Sequence, residues 1–326
     1  MKVIESIKNN LKSLNYKPTI VFAEGYNKTI QEAANVIKKE NIVEPVLIFN
    51  NNAEKAQFDN ALNIKTIVIA ETDIEKNANF LYELRKNKGL TLEEARKLVQ
   101  QSNYLCSILV KNNENWGGVC GIEYTTKDTL RAALQVIKAK PEKVVNSIMI
   151  FEKDDDTFFA TDIGLMLDPT AEELAMLTDN SIDFIVNKIN YGQVNAAMLS
   201  YSTSGSGAGA SVDKVKKAYQ IYKEKYEKQN PKASVYGEMQ FDAAVVDSIR
   251  KKKCPDCTWT DKANLFIFPN LDAGNIGYKI MQRLGKYNPT GPIIIGLNQP
   301  INDLSRGANI DEVVSLTYVT ALQTKK

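Results

Sequence analysis

The first half of the chain alternates short apolar segments with longer amphipathic ones, and this alternation restricts the fold more than any other feature. The apolar runs lie at 19–23, 45–49, 66–70 and 118–122, and helical periodicity occurs at 28–39, 74–85, 92–101 and 126–137. Buried strands separated by helices are typical of a parallel sheet that is covered on both faces. The sequence therefore predicts an α/β domain with a mostly parallel sheet.

The pattern changes after residue 141. Two apolar runs, 147–151 and 158–161, flank an acidic turn at 154–156 and predict a hairpin. Further helices are predicted at 171–188, 212–228 and 241–252, a final helix is predicted after the polar loop that ends at residue 307, and strands are predicted at 196–201 and 265–268. We expect a second α/β domain to begin near residue 142, with mixed strand directions.

Composition excludes several classes of protein. With 326 residues the chain is long enough for two domains. Lys and Arg number 41 against 39 Asp and Glu, a net charge of +2 that argues against a broad nucleic-acid surface. No apolar run approaches the roughly 18 residues of a membrane span. The N-terminal segment is amphipathic and lacks the apolar core of a signal peptide, so we expect a cytoplasmic protein without a membrane partner.

The chain has no histidine, which excludes Ser-His-Asp and Cys-His mechanisms and histidine-based metal sites. A general base must then be Asp, Glu, Lys, Tyr or Cys. The cysteines are Cys106, Cys120, Cys254 and Cys257. The last two have C-x-x-C spacing, which is compatible with redox chemistry or half of a zinc site, but no second pair supplies further ligands. We favour two thiols without chemistry in a surface loop, and predict no metal site.

Two loops are candidates for ligand binding. The segment 265–307 runs from an apolar strand through a glycine-punctuated loop and a helix to a second strand, and then to a polar loop that carries Ser305 and Arg306. A loop that holds a guanidinium after a strand and before a helix is suited to bind an anion. The small-residue run 204–210 is either a flexible linker or a loop whose backbone amides approach a ligand.

Six segments resemble the phosphate acetyltransferases, or phosphotransacetylases, in the order of that family. They are 84–86, 125–131, 168–175, 202–206, 237–244 and 265–307. The resemblance implies transfer of an acetyl group between coenzyme A and phosphate in a ternary complex, with acetyl-CoA, phosphate and acetyl phosphate as small-molecule substrates. It implies no prosthetic group and a homodimer.

The same resemblance implies an architecture of two α/β domains, similar to isocitrate dehydrogenases, with the active-site cleft between the domains. The first domain would comprise residues 1–141 plus 293–326, and the second would comprise 142–292. The glycine fingerprint of dinucleotide-binding enzymes is absent after the early strands, so the residues give no support to a dehydrogenase.

Site residues follow from the resemblance. Ser305 and Arg306 are implied to be catalytic, and Glu312 stands where the family has an aspartate proposed to take the thiol proton. The implied substrate-binding residues are Arg85, Arg131, Thr125, Thr126, Arg283, Ser202, Thr203 and Asn275. Arg85 and Arg131 would otherwise be solvated arginines on helices. The spacing from Asn309 to Glu312 also fits a capping box, and the two roles of Glu312 are compatible.

Several positions depart from the family pattern. Tyr124 replaces a histidine, Ser204 a lysine, Tyr236 an aspartate and Glu312 an aspartate. These departures keep two alternatives open. One is an acyl specificity like that of phosphate butyryltransferases, and the other is a catalytically impaired homologue that only binds ligands.

Overall fold

The computed structural model describes residues 2–324, in which helices and strands alternate along most of the chain. Up to residue 140 the elements are α1 (Lys2–Lys12), β1 (Thr19–Phe22), α2 (Lys28–Glu40), β2 (Glu44–Phe49), α3 (Asn52–Ala56), β3 (Lys65–Val68), α4 (Ile74–Arg85), α5 (Leu92–Leu98), α6 (Ser102–Lys111), β4 (Trp116–Cys120) and α7 (Thr126–Val136). From residue 141 to 296 they are β5 (Asn146–Lys153), β6 (Asp156–Thr161), α8 (Ala171–Asp183), β7 (Val194–Leu199), α9 (Ala210–Lys225), β8 (Ala233–Met239), α10 (Phe241–Val245), α11 (Asp247–Lys253), β9 (Leu265–Ile267), α12 (Leu271–Arg283) and β10 (Asn288–Ile295). The last two are β11 (Ile301–Asp303) and α13 (Ile310–Gln323).

The chain divides into two compact units. The first comprises Val3–Lys140 and the chain from Leu297 onward, and the second contains Pro141–Gly296. β10 runs to Ile295 and pairs with β5, so the chain leaves the second sheet after that residue. The resemblance implied a boundary three residues earlier, at 292. A glycine at 296 permits the crossing, because its φ is +90° and a side chain there would meet the backbone of Val144.

The sheet of the first unit has five strands in the order β11-β4-β1-β2-β3, and all its pairings are parallel. β1 and β2 are largely apolar on both faces, as the alternating pattern predicted for a sheet that is covered on both sides. Phe22 and Phe49 are buried completely at the ends of β1 and β2. The carboxyl ends of all five strands lie at one edge of the sheet, so the segments that follow β1, β4 and β11 lie close together.

The sheet of the second unit has six strands in the order β10-β5-β6-β9-β7-β8. β5 and β6 form the hairpin that the sequence predicted, and β10 is antiparallel to β5. The pairings β6-β9, β9-β7 and β7-β8 are parallel. The predictions of a mostly parallel sheet in the first part of the chain and of mixed directions in the second are therefore confirmed.

Among the differences from the sequence-based prediction, three have a clear physical reason. The helix predicted at 92–101 ends at Leu98, and α6 follows it; α6 was missed because its residues are buried on nearly every side and show no amphipathic period. The helix predicted at 241–252 is interrupted at Val246, whose backbone is extended. β11 was assigned to a polar loop, because a three-residue strand with two polar residues carries almost no apolar pattern. Among residues 2–324, no helix is both long and apolar enough to cross a membrane.

Candidate active site

The loop after β4 is held in place by a buried carboxylate at the end of β1. Glu24 is completely buried and accepts hydrogen bonds from the backbone N–H groups of Gly121, Glu123 and Tyr124 at 2.9–3.1 Å. Burial raises the pKa of Glu24, and the three backbone donors oppose that shift. The path of the chain from Gly121 into α7 is therefore fixed by a residue that is distant in sequence.

The two threonines at the start of α7 make different contacts. Thr125 is the N-cap: its Oγ1 accepts from the backbone N–H of Asp128 at 3.1 Å. Thr126 is exposed, and its hydroxyl donates to Asp303 Oδ2 at 2.6 Å. Asp303 is the last residue of β11 and stands two positions before Ser305. The structure thus brings the predicted binding residue Thr126 next to the strand that leads to the predicted catalytic loop.

Asp303 is a buried carboxylate that sequence reasoning missed. It is 2% exposed, and its Oδ1 has no hydrogen-bond partner among residues 2–324. The pKa of Asp303 is raised to about 6: burial and the charge of Glu24 raise it, and together they outweigh the nearby hydroxyls of Thr126 and Thr129 and the charge of Arg306, which lower it. Glu24 directly follows the strand that the sequence predicted at 19–23, a signal that could have found it, whereas Asp303 ends a strand that the sequence did not predict.

Ser305 and Arg306 lie in an exposed turn between β11 and α13. The turn is closed by a hydrogen bond from the N–H of Ala308 to the carbonyl oxygen of Ser305 at 2.9 Å. Arg306 lies close enough to Asp303 for its charge to act on that carboxyl. Both predicted catalytic side chains are accessible, on a loop whose preceding strand is buried.

Glu312 forms the capping box that its spacing predicted. Its Oε2 accepts from the N–H of Asn309 at 3.0 Å, and Asn309 Oδ1 accepts from the N–H of Glu312 at 3.0 Å. The structural role of Glu312 is therefore confirmed, and its role as a proton acceptor stays a prediction.

Arg85 and Arg131 lie on helices that pack against each other, at the end of α4 and on α7. Burial raises the pKa of Tyr104, and the charges of both arginines oppose that shift, so both lie within electrostatic range of one phenol. Arg131 also pairs with Asp128 at 2.5 Å and is about half exposed. The two arginines therefore lie in the same region of the first unit, and Arg131 is paired with Asp128 there.

In the second unit, Ser202 and Thr203 begin the loop between β7 and α9, and both are buried. The hydroxyl of Ser202 donates to Glu238 Oε1 at 2.9 Å, and Thr203 Oγ1 accepts from the N–H of Gln240 at 2.9 Å. The N–H of Gly205 also donates to Glu238 Oε1, at 2.8 Å. The small-residue loop is therefore a folded element and not a flexible linker, and part of its backbone is already engaged by protein groups.

The remaining predicted binding residues lie on α12. Asn275 is partly buried and donates to the carbonyl oxygen of Ile163 at 3.4 Å, whereas Arg283 is exposed at the end of the helix. Gly274 permits a close approach of this helix to its neighbour, because a Cβ there would lie 2.2 Å from the carbonyl oxygen of Asp162. The structure places Asn275 and Arg283 on one helix, two turns apart.

A family profile described as phosphate acetyl/butaryl transferase matches residues 2–321. The chain belongs to this family. A phosphate acetyltransferase of Mycoplasma pneumoniae is 46% identical over the full length of both chains. That of Bacillus subtilis is 37% identical and aligns with 93% of this chain and 94% of its own length.

Solved structures of the phosphate acetyl/butaryl transferase kind have the same fold. A phosphotransacetylase from Staphylococcus aureus superposes with a TM-score of 0.87 at 34% identity, covering 99% of this chain and 98% of that chain. A branched-chain phosphotransacylase from Enterococcus faecalis gives a TM-score of 0.69 at 17% identity, covering 94% and 99%, and shares the fold. A putative 4-hydroxythreonine-4-phosphate dehydrogenase gives 0.56 at 12% identity over 94% and 100%, in keeping with the dehydrogenase-like fold that the sequence predicted.

Two departures from the family pattern are neighbours in this chain. Ser204 Oγ lies 3.2 Å from the hydroxyl oxygen of Tyr236, which in turn donates to Asp256 Oδ1 at 2.7 Å. The resemblance implies lysine and aspartate at these two positions. This chain therefore has a neutral hydrogen-bonded pair, Ser204 and Tyr236, where the family pattern has two residues of opposite charge that could form an ion pair.

The cysteines of the C-x-x-C segment are less exposed than the sequence suggested. Cys254 is buried and Cys257 is partly buried, so the prediction of a surface loop is wrong for Cys254. The cause is packing, because this segment closes over Tyr236 and Trp259 in the core of the second unit. Burial raises the pKa of both thiols, which disfavours the reactive thiolate. Within residues 2–324, no three or more Cys, Asp or Glu side chains form a group that could hold a metal ion.

Proposed function

We propose that this chain transfers an acetyl group between coenzyme A and inorganic phosphate: acetyl-CoA and phosphate react to give acetyl phosphate and coenzyme A. Family membership over residues 2–321 supports the reaction class. The structural observation that supports the proposed chemistry is the exposed Ser305-Arg306 turn. It follows a buried strand at the carboxyl edge of a parallel sheet. Coenzyme A is a substrate, and we propose that the reaction needs neither a metal nor a prosthetic group.

We assign the roles by chemistry. The planar guanidinium of Arg306 suits paired hydrogen bonds to phosphate oxygens, and Arg85 and Arg131 add positive charge for the same anion. The hydroxyl of Ser305 would donate to the oxyanion of the tetrahedral intermediate. Glu312 uses Oε2 for the capping box, and we propose that Oε1 accepts the thiol proton of coenzyme A.

The substrate-binding proposal extends to residues of the other unit. We propose that four of them serve the binding of coenzyme A: Arg283 and Asn275 by contact, and Ser202 and Thr203 indirectly. Arg283 is the exposed cation among them and would pair with phosphate groups of coenzyme A. Ser202 and Thr203 are buried, so they would act through the loop that they hold.

The comparisons favour acetyl over larger acyl groups. Relatives that are 34–46% identical over nearly their full length are named phosphate acetyltransferase. The branched-chain phosphotransacylase is only 17% identical. The butyryl alternative and the impaired homologue are therefore not favoured.

The test is an assay of the purified protein with acetyl phosphate and coenzyme A, which follows thioester formation by absorbance and compares acetyl phosphate with butyryl phosphate. We expect rapid thioester formation that prefers the acetyl donor. Arg306→Ala should reduce turnover by several orders of magnitude, because phosphate loses its charge-assisted fork, while circular dichroism stays unchanged. A protein that is folded but forms no thioester from either donor would refute the proposal.

We further propose a homodimer in which α12 lies at the interface. Three apolar side chains are spaced by four residues along this helix and its end, Ile276, Ile280 and Leu284, and their exposed fractions are 60%, 52% and 78%. Such a stripe on one helix face is typical of a contact surface. Sedimentation equilibrium should give a dimer, and Ile280→Asp should shift it toward the monomer. A wild-type monomer at micromolar concentration would contradict this.

We also propose that the enzyme works in the cytoplasm. All four cysteines are free thiols, as is usual in a reducing compartment. Detection of the protein by cell fractionation in the membrane or extracellular fraction would contradict this.

A further inference from the structure

Two buried carboxylates face each other across one glycine at the carboxyl edge of the first sheet. Gly121 donates its N–H to Glu24 at 3.1 Å. On its other side, a Cβ at position 121 would lie 2.2 Å from Asp303 Oδ1, so the carboxylate oxygen packs directly against the glycine Cα. The φ of Gly121 is +106°, which a residue with a side chain rarely adopts. Only glycine fits between the two carboxylates.

Asp303 is poorly compensated for a buried charge. Thr126 donates to its Oδ2, but Oδ1 has no hydrogen-bond partner among the described residues. The buried hydroxyl of Thr129 lies near enough to lower the pKa of Asp303, yet it also makes no hydrogen bond among those residues. An unsatisfied buried polar atom destabilises a fold, and a buried charge does so more strongly. A carboxylate kept at such a position needs an explanation other than stability.

Asp162 in the second unit provides the contrast. It is also 2% exposed, and its two oxygens accept from the N–H and hydroxyl of Ser147 and from the N–H groups of Gly164 and Leu165, at 2.7–2.9 Å. Asp162 therefore has the contacts of a stabilising buried carboxylate. Asp303 does not.

We propose that Asp303 is a positioning residue for acyl transfer, which ties the first turn of α7 to the loop that carries Ser305 and Arg306. Its hydrogen bond to Thr126 joins residues 177 positions apart in sequence. The negative charge lies near Arg306, and Asp303 and Ser305 are separated by a single residue. The carboxylate thus holds one predicted binding residue and two predicted catalytic residues in one arrangement. This inference rests on the proposed function.

The first test compares Asp303→Asn with Asp162→Asn as the matched control. For each we would measure kcat, the KM values for phosphate and coenzyme A, and the melting temperature. We expect Asp303→Asn to lower kcat about 10- to 100-fold, because small displacements of catalytic groups cost that much, while it melts no lower than the wild type. Asp162→Asn should melt lower and keep its activity per folded molecule.

A second variant tests the contact itself. Thr126→Val keeps the side-chain shape and removes the hydroxyl, so it should lower kcat in the same direction as Asp303→Asn. The double variant should lose little more than Asp303→Asn alone, because both changes remove one interaction. Additive losses would show that the two residues act separately and would overturn the proposal.

The outcomes separate this inference from the proposed function. If the wild type transfers acetyl groups and Asp303→Asn keeps its kcat within about threefold, the positioning role is wrong and the proposed function stands. A large drop in melting temperature for Asp303→Asn, with normal activity per folded molecule, would make Asp303 a purely structural residue. A folded wild type that transfers no acetyl group would overturn both.

Discussion

Asparagine at position 303 should stabilise the protein at neutral pH, although it removes a native hydrogen-bonded charge. The folded-state pKa of Asp303 is raised by burial, so its contribution to stability is present below pH 4 and is lost as the pH rises through about 6. The ionised carboxylate therefore opposes folding at pH 8. Asp303→Asn should remove this dependence on pH.

The magnitude follows from the shift in pKa. The pKa of Asp303 rises from 3.8 to about 6, and each unit corresponds to about 1.4 kcal/mol, which gives about 3 kcal/mol of destabilisation above pH 7. The amide still accepts from Thr126 but more weakly, which costs about 1 kcal/mol. We therefore expect Asp303→Asn to be about 2 kcal/mol more stable than the wild type at pH 8, and no more stable at pH 4.

The charged groups next to Asp303 determine how much of the pH dependence of stability the substitution removes. Glu24 faces Asp303 from the end of β1 and raises its pKa, and Arg306 in the same loop lowers it. Cys120 on β4 stays a neutral thiol, because its hydrogen bond with Cys106 and its burial raise its pKa. The contacts from α7 are the neutral hydroxyls of Thr126 and Thr129. The pKa of Glu24 is also raised by burial, so some dependence on pH remains in the variant.

The assay is urea unfolding between pH 4 and pH 8. The chain has two tryptophans, Trp116 on β4 and Trp259 in the second unit, so a Trp259→Phe background makes fluorescence report the first unit. The two proteins should have equal m-values, so that midpoints compare directly. The reasoning fails if Asp303→Asn is less stable than the wild type at pH 8, or if their difference does not change with pH.

Three further predictions concern activity, packing and redox state. Glu312→Gln should keep the capping box but lower kcat about 100-fold if Oε1 takes the thiol proton, and Glu312→Asp should stay active. Full activity of the glutamine variant would show that Glu312 serves only as a helix cap. Tyr236→Asp should destabilise the protein by about 1–2 kcal/mol beside Asp256, and Ser204→Lys should reverse most of this loss by supplying the opposite charge; chemical denaturation checks it, and additive effects would contradict it. Replacing Cys254 and Cys257 by serine should leave kcat within about twofold, since burial raises the pKa of both thiols; activity that follows the thiol redox state would contradict this.

Local sequence patterns predicted most of the helices and strands. α13 follows the polar loop, where the sequence predicted a final helix, and the hairpin of β5 and β6 was visible from two apolar runs around an acidic turn. α6 and β11 were missed, because a helix buried on all sides and a three-residue strand have little periodic signal.

The site divides in the same way. Ser305 and Arg306 form a short contiguous motif, which sequence reasoning can recognise. The roles of Glu24 and Asp303 depend on partners far away in sequence, such as the contact between Thr126 and Asp303 across 177 positions. Such pairings follow from sheet order, which no local pattern specifies.

In both units, an internal carboxylate already occupies backbone amides that an anion could otherwise use. Glu24 takes the amides of Gly121, Glu123 and Tyr124, and Glu238 takes the amide of Gly205. In the proposed function, inorganic phosphate is held by arginine side chains, which can move with the anion. A rigid set of backbone amides would stabilise phosphate before the reaction as strongly as during it, and such binding does not raise turnover. Because internal carboxylates occupy these amides, we expect weak binding of inorganic phosphate, which is compatible with rapid turnover.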